Sequence, residues 1–231
     1  MLDLGRLGLR GAIPASVGKM STLEKLSFFR NQLTGSIPKE LGSAPKLVYL
    51  GLRSNKLTGP IPTTVMKLLA KSTDVGPGLH IPPGLELPTD IGSLEKACRG
   101  RLKVLELPGN GLVATLPESL GDLLSLQTLN LSGNELEGPL PCSLGKLKKL
   151  QFLDISFNKF SQEVPEELGA IAGLRELMLR GNFFTSLGLH FGTFKKIERV
   201  DVSENPFDLN PEEMREEIAN RNLPLGVELV T

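Results

Sequence analysis

The sequence predicts an α/β repeat solenoid in which short parallel strands stack along one side. Three observations indicate this fold class: a stretch that recurs, leucines that alternate within it, and glycines and prolines at fixed places behind it. The stretch L-x-x-L-x-L recurs with a period of 24 residues between positions 102 and 196, and an asparagine follows each copy, at Asn110, Asn134, Asn158 and Asn182. A period of this size is typical of architectures in which neighbouring copies bury a shared core.

The first half of each copy predicts a β-strand. In x-L-x-L-x the leucines alternate, so they share one face of a strand while the x residues take the other. No copy can bury its leucine face alone, and stacked copies therefore form a continuous apolar spine. The asparagine follows where the chain turns out of the strand, and its amide can satisfy backbone groups left unpaired there. We interpret these asparagines as a structural ladder.

The second half of most copies follows L-x-G-x-[IL]-P-x-x-[LV]-G-x-[LM], as in LTGSIPKELGSA at 33–44 and ELEGPLPCSLGKL at 135–147. Glycine permits backbone angles that a side chain forbids, and proline fixes φ while removing a donor. This half therefore predicts short extended or 3₁₀ segments with little long helix. The complete pattern resembles the leucine-rich repeat family, in the subtype common in plant receptor ectodomains. The resemblance implies a right-handed arc with its parallel sheet on the concave face.

We expect residues 1–231 to form a single domain of about nine repeats. The first copy aligns if Leu2 and Leu4 are its strand leucines and Leu7 replaces the asparagine. No polar cap precedes it, so either residues are missing upstream or a partner covers this edge. The second and third copies start at Leu23 and Leu47.

The regular spacing breaks between Leu47 and Leu102. These leucines are 55 residues apart, which is 24 plus 31, so the sequence predicts an intervening irregular repeat at 71–101 with seven extra residues. An irregular element in a regular array is often retained for binding. The alternative is a tolerated surface insertion, since lengthening a loop costs only tenths of a kcal/mol.

The array ends in a predicted C-terminal cap at 206–231. Asn210 and Pro211 fit the N-cap and first positions of a helix, and glutamates follow at its positive dipole end. We expect a helix over about 211–220 that packs Met214 and Ile218 on the last strand.

Charge is balanced overall and divided along the chain. Residues 1–115 hold 15 Lys and Arg against 8 Asp and Glu, a net of +7, and residues 116–231 hold 11 against 18, a net of −7. We therefore expect no nucleic-acid partner, and a charged partner only at one end. No apolar run approaches the roughly 18 residues of a membrane span, and charges interrupt the first residues where a signal peptide would need an apolar run.

The two cysteines, Cys98 and Cys142, lie about two strand spacings apart by repeat phase, near 10 Å, which is too far for an easy disulfide. Free thiols favour a reducing, intracellular compartment. The resemblance to receptor ectodomains implies an extracellular location if the chain is a receptor fragment, although the cysteine caps usual in secreted relatives are absent.

The sequence predicts no enzyme, no cofactor and no metal site. His80 and His190 lie in unrelated copies, and neither belongs to a C-x-x-C or His-x-x-His pattern. A calcium-loop spacing starts at Asp201, but Pro206 occupies the position that needs glycine, and the repeat and the cap explain the residues that match, namely Asp201, Ser203, Asn205 and Glu212. The sequon at Asn130 also arises from the repeat itself, and we expect no glycan there.

The candidate functional surface is the set of x positions on the concave face. Phe29 and Tyr49 are one strand apart, exposed where the pattern elsewhere buries apolar residues, and flanked by Arg30 and Arg53. Aromatic residues beside arginine are common at interface hot spots, although single surface aromatics are also normal. The predicted partner-binding residues are Phe29, Arg30, Tyr49, Arg53, Glu106, Phe152, Asp154, Glu176, Arg180 and Asp201.

These observations predict a non-catalytic interaction module. A rigid scaffold displays variable residues at fixed spacing, and no reactive constellation accompanies them. The expected partner is a protein or peptide bound by the concave face and the irregular 65–101 segment. Two alternatives stay open: an accessory subunit of a larger assembly, and a fragment of a receptor-like ectodomain.

Overall fold

The computed structural model describes residues 1–67, 102–189, 191–220, 224 and 226–231. Its largest element is a nine-stranded, wholly parallel sheet, here called the inner sheet. Each copy contributes one strand, in spatial order β1 (Leu2–Asp3), β3 (Lys25–Ser27), β5 (Tyr49–Gly51), β7 (Val104–Glu106), β9 (Thr128–Asn130), β11 (Phe152–Asp154), β13 (Glu176–Met178) and β15 (Arg199–Asp201), and the ninth strand, β16 (Glu228–Val230), comes from the C-terminal cap. The predicted solenoid with a parallel sheet is confirmed.

The second halves of the copies also join into a parallel sheet, here called the outer sheet. Its seven strands are β2 (Arg10–Gly11), β4 (Gln32–Gly35), β6 (Lys56–Gly59), β8 (Gly111–Ala114), β10 (Glu135–Gly138), β12 (Lys159–Val164) and β14 (Phe183–Leu187). Helix α1 (Thr63–Lys67) and short 3₁₀ helices follow these strands, at Ala15–Lys19, Lys39–Ser43, Glu118–Asp122, Cys142–Lys146, Glu166–Ala170 and Phe191–Thr193. The extended and 3₁₀ segments were expected; their hydrogen bonding into a second sheet was not.

The strand leucines form the predicted spine. Strand register aligns Leu2 with Leu26 and Leu26 with Leu50, and the alignment continues copy by copy to Val200. From Leu26 onward these side chains are fully buried, within one contiguous cluster. The first copy therefore takes the predicted phase, with Leu2 at a spine position.

The asparagines form the predicted ladder. In each link the side-chain oxygen accepts a backbone N–H of the preceding copy, while the side-chain nitrogen donates to carbonyls of its own and the preceding copy. Asn134, for example, accepts from the Leu112 N–H at 3.2 Å and donates to the Leu107 and Leu131 carbonyls at 3.0 and 2.8 Å. In the first copy Leu7 occupies the asparagine position, and its backbone N–H donates to the side-chain oxygen of Asn31 in the second copy.

Copy three is the direct neighbour of the copy that starts at Leu102. The sequence predicted an irregular repeat between these two copies, and the strand pairing corrects this prediction. Tyr49 pairs with Val104 and Gly51 with Glu106, and β6 pairs with β8 in the outer sheet. The ladder is also continuous here, because the Asn110 side chain bonds Leu52 and Leu57. Residues 68–101, including the irregular segment and Cys98, lie outside the described residues.

The cap contains the predicted helix, α2 (Pro211–Asn220), with Met214 and Ile218 buried. The Asn210 side chain accepts the N–H groups of Glu212 and Glu213 at 2.9 and 3.0 Å, and Glu213 accepts the Asn210 N–H in return. This reciprocal arrangement satisfies otherwise unpaired donors at the helix start. Strand β16, which adds to the inner sheet after β15, was not predicted.

Candidate protein-binding face

The exposed side of the inner sheet carries one compact group of aromatic and charged side chains, here called the N-terminal cluster: Arg6, Phe29, Tyr49, Arg53 and Glu106. The guanidinium carbons of Arg6 and Arg53 lie 5.4 and 5.6 Å from the centre of the Phe29 ring. These are cation–π distances, so the ring orients both guanidinium groups without neutralising them.

Glycines on the sheet make room for both aromatic rings. A Cβ atom on Gly5 would lie 2.0 Å from the Phe29 ring, and a Cβ on Gly51 would lie 2.6 Å from the Tyr49 hydroxyl oxygen. Each ring therefore lies down against bare backbone instead of projecting from the sheet. A side chain at either glycine would displace the ring.

Tyr49 links copy three to its spatial neighbour. Its hydroxyl donates a 2.8 Å hydrogen bond to Oε2 of Glu106, whose backbone is paired with Gly51. Burial, followed by this hydrogen bond and the negative charge of Glu106, raises the pKa of Tyr49 to about 12. Tyr49 and Glu106 are both half-buried, so the pair forms part of the floor of the site.

The cluster surrounds a concavity of about 400 Å³. Its lining residues are Met1, Leu2, Asp3, Lys25, Ser27, Phe29, Tyr49, Arg53 and Glu106. Asp3 accepts the Gly5 N–H and Glu106 accepts the Tyr49 hydroxyl, so both carboxylates are engaged within the protein. Within the part of the chain that the structure describes, Lys25 and Arg53 make no ion pair. The lining therefore combines two cations that make no ion pair with any described residue and two hydrogen-bonded carboxylates with apolar surface.

The structure brings together Phe29, Tyr49, Arg53 and Glu106 from the predicted set but not Arg30. Arg30 lies at the turn before the ladder asparagine with a φ of 50°, where the strand alternation has ended, and it does not line the concavity. Arg6 takes the place beside Phe29 that was expected for Arg30.

Polar residues in the middle of the inner face are mostly bonded to their own copy. In an Asn/Asp-x-Ser arrangement the first side chain accepts both the N–H and the hydroxyl of the serine, at 3.0 and 2.7 Å for Asn130 and at 3.0 and 2.6 Å for Asp154. Asn130 thus lies on the inner face, as expected. Phe152 and Glu176 are half-buried neighbours on this face.

Asp201 requires a correction, because the expected exposed residue is only 3% exposed. It makes the same bonds to Ser203, and β16 adds a strand beside it. Asn205 belongs to the ladder and Glu212 to the helix cap, so three of the four calcium-like positions have structural partners in the repeat and the fourth lies in the cap.

The arginines at the other end, here called the C-terminal arginine row, each pair with a glutamate of the next strand or turn. Arg175 lies 2.7 Å from Glu198, Arg180 lies 2.5 Å from Glu204, and Arg199 lies 3.6 Å from Glu228, in each case from guanidinium nitrogen to carboxylate oxygen. The hydrogen bond that Arg180 donates to Glu204, together with the negative charge of that carboxylate, raises the pKa of Arg180 above its ordinary value. Over the described ranges, the positive charge of each of these arginines is balanced by a glutamate, unlike the charges of Arg6 and Arg53 in the N-terminal cluster.

Arg180 also lies over an aromatic ring that sequence reasoning missed. Its guanidinium carbon is 5.4 Å from the centre of Phe157, which is 51% exposed at the turn before Asn158. A Cβ on Gly181 would lie 2.7 Å from the Phe157 ring, the same use of glycine as beneath Phe29. Gly181, which lies one period after Phe157 in the sequence, is the feature that could have indicated this ring position.

Elsewhere the described residues offer little reactive chemistry. Cys142 is a free, exposed thiol at the start of a 3₁₀ helix, and burial together with Glu167 raises its pKa, which disfavours the reactive thiolate.

His80 and His190 lie outside the described residues. Across the described ranges, no group of three or more potential ligands is placed to hold a metal ion. Nor is any helix there long and apolar enough to cross a membrane.

Family comparisons agree with the geometry of the repeats. Models described as leucine rich repeat match residues 22–44, 46–68 and 100–160. No curated protein matches the sequence. The chain is a leucine-rich-repeat protein with repeats of the plant type.

Solved structures with the same arrangement include two plant receptors. The plant peptide hormone receptor RGFR1 in complex with RGF2 is 28% identical over 89% of this chain and 28% of its own, with a TM-score of 0.74. PEPR1 with AtPEP1 is 34% identical, covers 89% of this chain and 28% of its own, and has a TM-score of 0.65. A plant ice-binding protein, 24% identical over 99% of this chain and 63% of its own, with a TM-score of 0.76, shows likeness of fold alone. The chain spans under a third of either receptor structure.

Proposed function

We propose that this chain is a non-catalytic binding module that holds a protein or peptide against its inner face. The observation that carries the proposal is the N-terminal cluster, where two aromatic side chains and two arginines lie together at a concavity on a rigid sheet. Buried or half-buried aromatic and arginine anchors contribute most of the energy in protein interfaces.

The comparisons support this class of partner. RGFR1 and PEPR1 are described in complex with RGF2 and AtPEP1, and both share this fold at 28% and 34% identity. We include the irregular 65–101 segment as a second contact region, because in sequence it separates copy three from the copy that starts at Leu102, and these two copies are adjacent in both sheets.

The test is capture of a partner from the native source by the immobilised chain. We expect the simultaneous change of Phe29, Tyr49 and Arg53 to alanine to abolish recovery of the partner that wild type retains. The matched control changes Thr34, Lys56 and Thr58, which are exposed on the outer sheet, to alanine and should leave recovery unchanged. Equal recovery by the cluster variant would remove this face as the binding site.

A second candidate is a segment of a longer receptor ectodomain. The coverage favours it, because the chain spans 28% of each of the two receptor structures. A transcript that encodes further repeats and a membrane span in frame would establish this candidate, and one that encodes neither would remove it.

A further inference from the structure

Positive charge is concentrated around the N-terminal cluster. Residues 1–67 contain 10 Lys and Arg but only 3 Asp and Glu, a net of +7, whereas residues 116–231 carry −7. A field of one sign around a concavity raises the local concentration of oppositely charged partners and speeds their association. The copies that provide the aromatic residues of the cluster therefore carry a net positive charge.

The cations at the cluster are oriented but not compensated. Arg6 and Arg53 are held over Phe29, and Lys25 lines the concavity beside them. Among the described residues, none of these three makes an ion pair, in contrast to each member of the C-terminal arginine row. The same sheet thus neutralises its arginines at one end and leaves them available at the other.

The two carboxylates of the concavity, Asp3 and Glu106, keep their negative charges but are outnumbered by the cations Arg6, Lys25 and Arg53. Asp3 and Glu106 are engaged by the Gly5 N–H and the Tyr49 hydroxyl, at 3.1 and 2.8 Å. Each of these bonds is to a neutral donor, so Lys25 and Arg53 keep unused hydrogen-bond donors. An incoming carboxylate can bond these donors without first breaking an internal ion pair.

We propose that the partner presents an acidic protein segment to this concavity, with carboxylates at Lys25 and Arg53 and an apolar side chain beside Tyr49. This inference rests on the proposed function and specifies the partner that it requires. Arg6 and Arg30 extend the positive surface at the rim, where they contribute to steering more than to contact. A guanidinium group presents its donors as a planar fork that suits a carboxylate, and those of Arg6 and Arg53 lie at cation–π distance from Phe29.

The chain provides its own reporter for this site. Tyr49 is the only tyrosine in the sequence and there is no tryptophan, so intrinsic fluorescence comes from the floor of the concavity. The hydrogen bond to Glu106 makes this emission sensitive to any carboxylate that rearranges the pair.

The experiment titrates the full chain with three capped pentapeptides that flank a central phenylalanine with glutamate, glutamine or lysine. We expect the glutamate peptide alone to change Tyr49 emission, with an apparent affinity that falls about tenfold between about 50 and 300 mM salt, because exposed charge pairs are screened. Lys25→Gln and Arg53→Gln should each weaken it about fivefold, as expected for the loss of one charge-assisted hydrogen bond. Lys56→Gln, on the outer sheet, is the matched control and should bind like wild type.

Three results would overturn the inference: equal binding of the glutamine or lysine peptide, no effect of Lys25→Gln and Arg53→Gln, or equally tight binding of an oligothymidylate, which would indicate a general polyanion site. Failure of the proposed function looks different. If a native partner is lost with the alanine cluster variant yet is retained by Lys25→Gln and Arg53→Gln at all salt concentrations, the binding face stands and its acidic partner does not.

Discussion

The first three copies and the copies from Leu102 onward share a scaffold but differ in what they display. From Leu26 onward the spine side chains of both regions are fully buried, and the asparagines bond the preceding copy at about the same distances, 3.1 Å at Asn55 and 3.1 Å at Asn158. On the inner face, the first region has unpaired cations over Phe29, whereas the second pairs each of its arginines with a glutamate. Strand alternation separates packing from display, because the alternate apolar residues of each strand face the spine and the residues between them face the inner surface.

Because both regions share the spine, we expect a spine residue to contribute about equally to the free energy of unfolding in each. Leu26→Ala and Leu153→Ala each remove a fully buried side chain. We expect each to lower the free energy of unfolding by about 4 kcal/mol, through lost burial and the cavity left behind. Urea denaturation followed by circular dichroism measures this. A change at Leu26 that costs less than a third of the change at Leu153 would show that the first region is not part of the same cooperative body.

The ladder predicts the next largest effect. Asn158→Ala leaves the Leu136 N–H without its partner and removes one of the two amide donors of the Leu131 and Ile155 carbonyls, which Asn134 and Asn182 still reach. Asn55→Ala has the same effect in the first region, where it leaves the Leu33 N–H unpaired. We expect each to cost about 3 kcal/mol, since buried unpaired backbone groups are expensive. Asn130→Ala is the control, because Asn130 bonds only Ser132, and its cost should stay below about 1 kcal/mol. Equal costs at Asn130 and Asn158 would contradict a structural ladder.

The sequence was sufficient for the spine, the ladder and helix α2 because each follows from local rules: alternation, a fixed period and capping chemistry. It was insufficient for the region between copies, because 55 residues between Leu47 and Leu102 fit an irregular extra repeat and a 31-residue insertion into one repeat equally well. Only the pairing of β5 with β7 distinguishes the two. Strand β16 was missed because its three residues lie outside the repeat pattern.

The junction between the two regions predicts that residues 70–100 can be removed. This deletion of 31 residues returns the spacing from Leu47 to Leu102 to 24, and leaves three residues between Lys67 and Leu102, as between Lys146 and Leu150. We expect the shortened chain to fold with its free energy of unfolding raised by at most about 2 kcal/mol, the entropy of the shorter connection. Thermal and urea unfolding test this. Loss of cooperative unfolding would mean that the segment supports the spine.

Backbone strain distinguishes one turn of the second region on a smaller scale. At the ends of strands β2, β4, β6, β8 and β10 φ is positive, and glycine occupies all of these positions, as at Gly59 (77°), except the end of β8, where Ala114 has a φ of 89°. We expect Gly59→Ala to lower the free energy of unfolding by about 1 kcal/mol and Ala114→Gly to raise it by about 0.5 kcal/mol, because only glycine adopts these angles without strain. Opposite signs in urea denaturation are the test. A loss of stability in Ala114→Gly would contradict strain at this turn.

For the binding face, the alignment of the repeats was enough to predict that Phe29, Tyr49 and Arg53 lie together, because these residues belong to adjacent copies. The errors have local causes. Arg30 follows the last alternating position and lies at a left-handed turn, and the side chain of Asp201 is bonded to Ser203 and buried. Arg6 was overlooked as the second cation on Phe29 because its contact depends on Gly5, which admits the ring. Such contacts depend on neighbouring copies and are not encoded in the repeat.

The smallest predicted effect concerns the titration of the N-terminal cluster. Absorbance of tyrosinate near 295 nm reports one group, because the sequence contains a single tyrosine. Wild type should titrate with a pKa of about 12, against about 10 when unfolded. Because the folded-state pKa is the higher one, the unfolded state holds fewer protons between about pH 10 and 12, and stability should fall as pH rises through this window.

Glu106→Gln sharpens this titration, because it removes the negative charge and keeps an acceptor for the Tyr49 hydroxyl. We expect it to lower the pKa of Tyr49 towards 10 but not fully to it, since burial, the largest cause of the shift, is unchanged. Glu204→Gln, which disrupts a pair in the C-terminal arginine row, is the control and should leave the Tyr49 titration unaltered. A wild-type pKa near 10, or an unchanged value in Glu106→Gln, would show that Tyr49 and Glu106 are not paired across the junction, and the floor of the concavity would then have to be assigned differently.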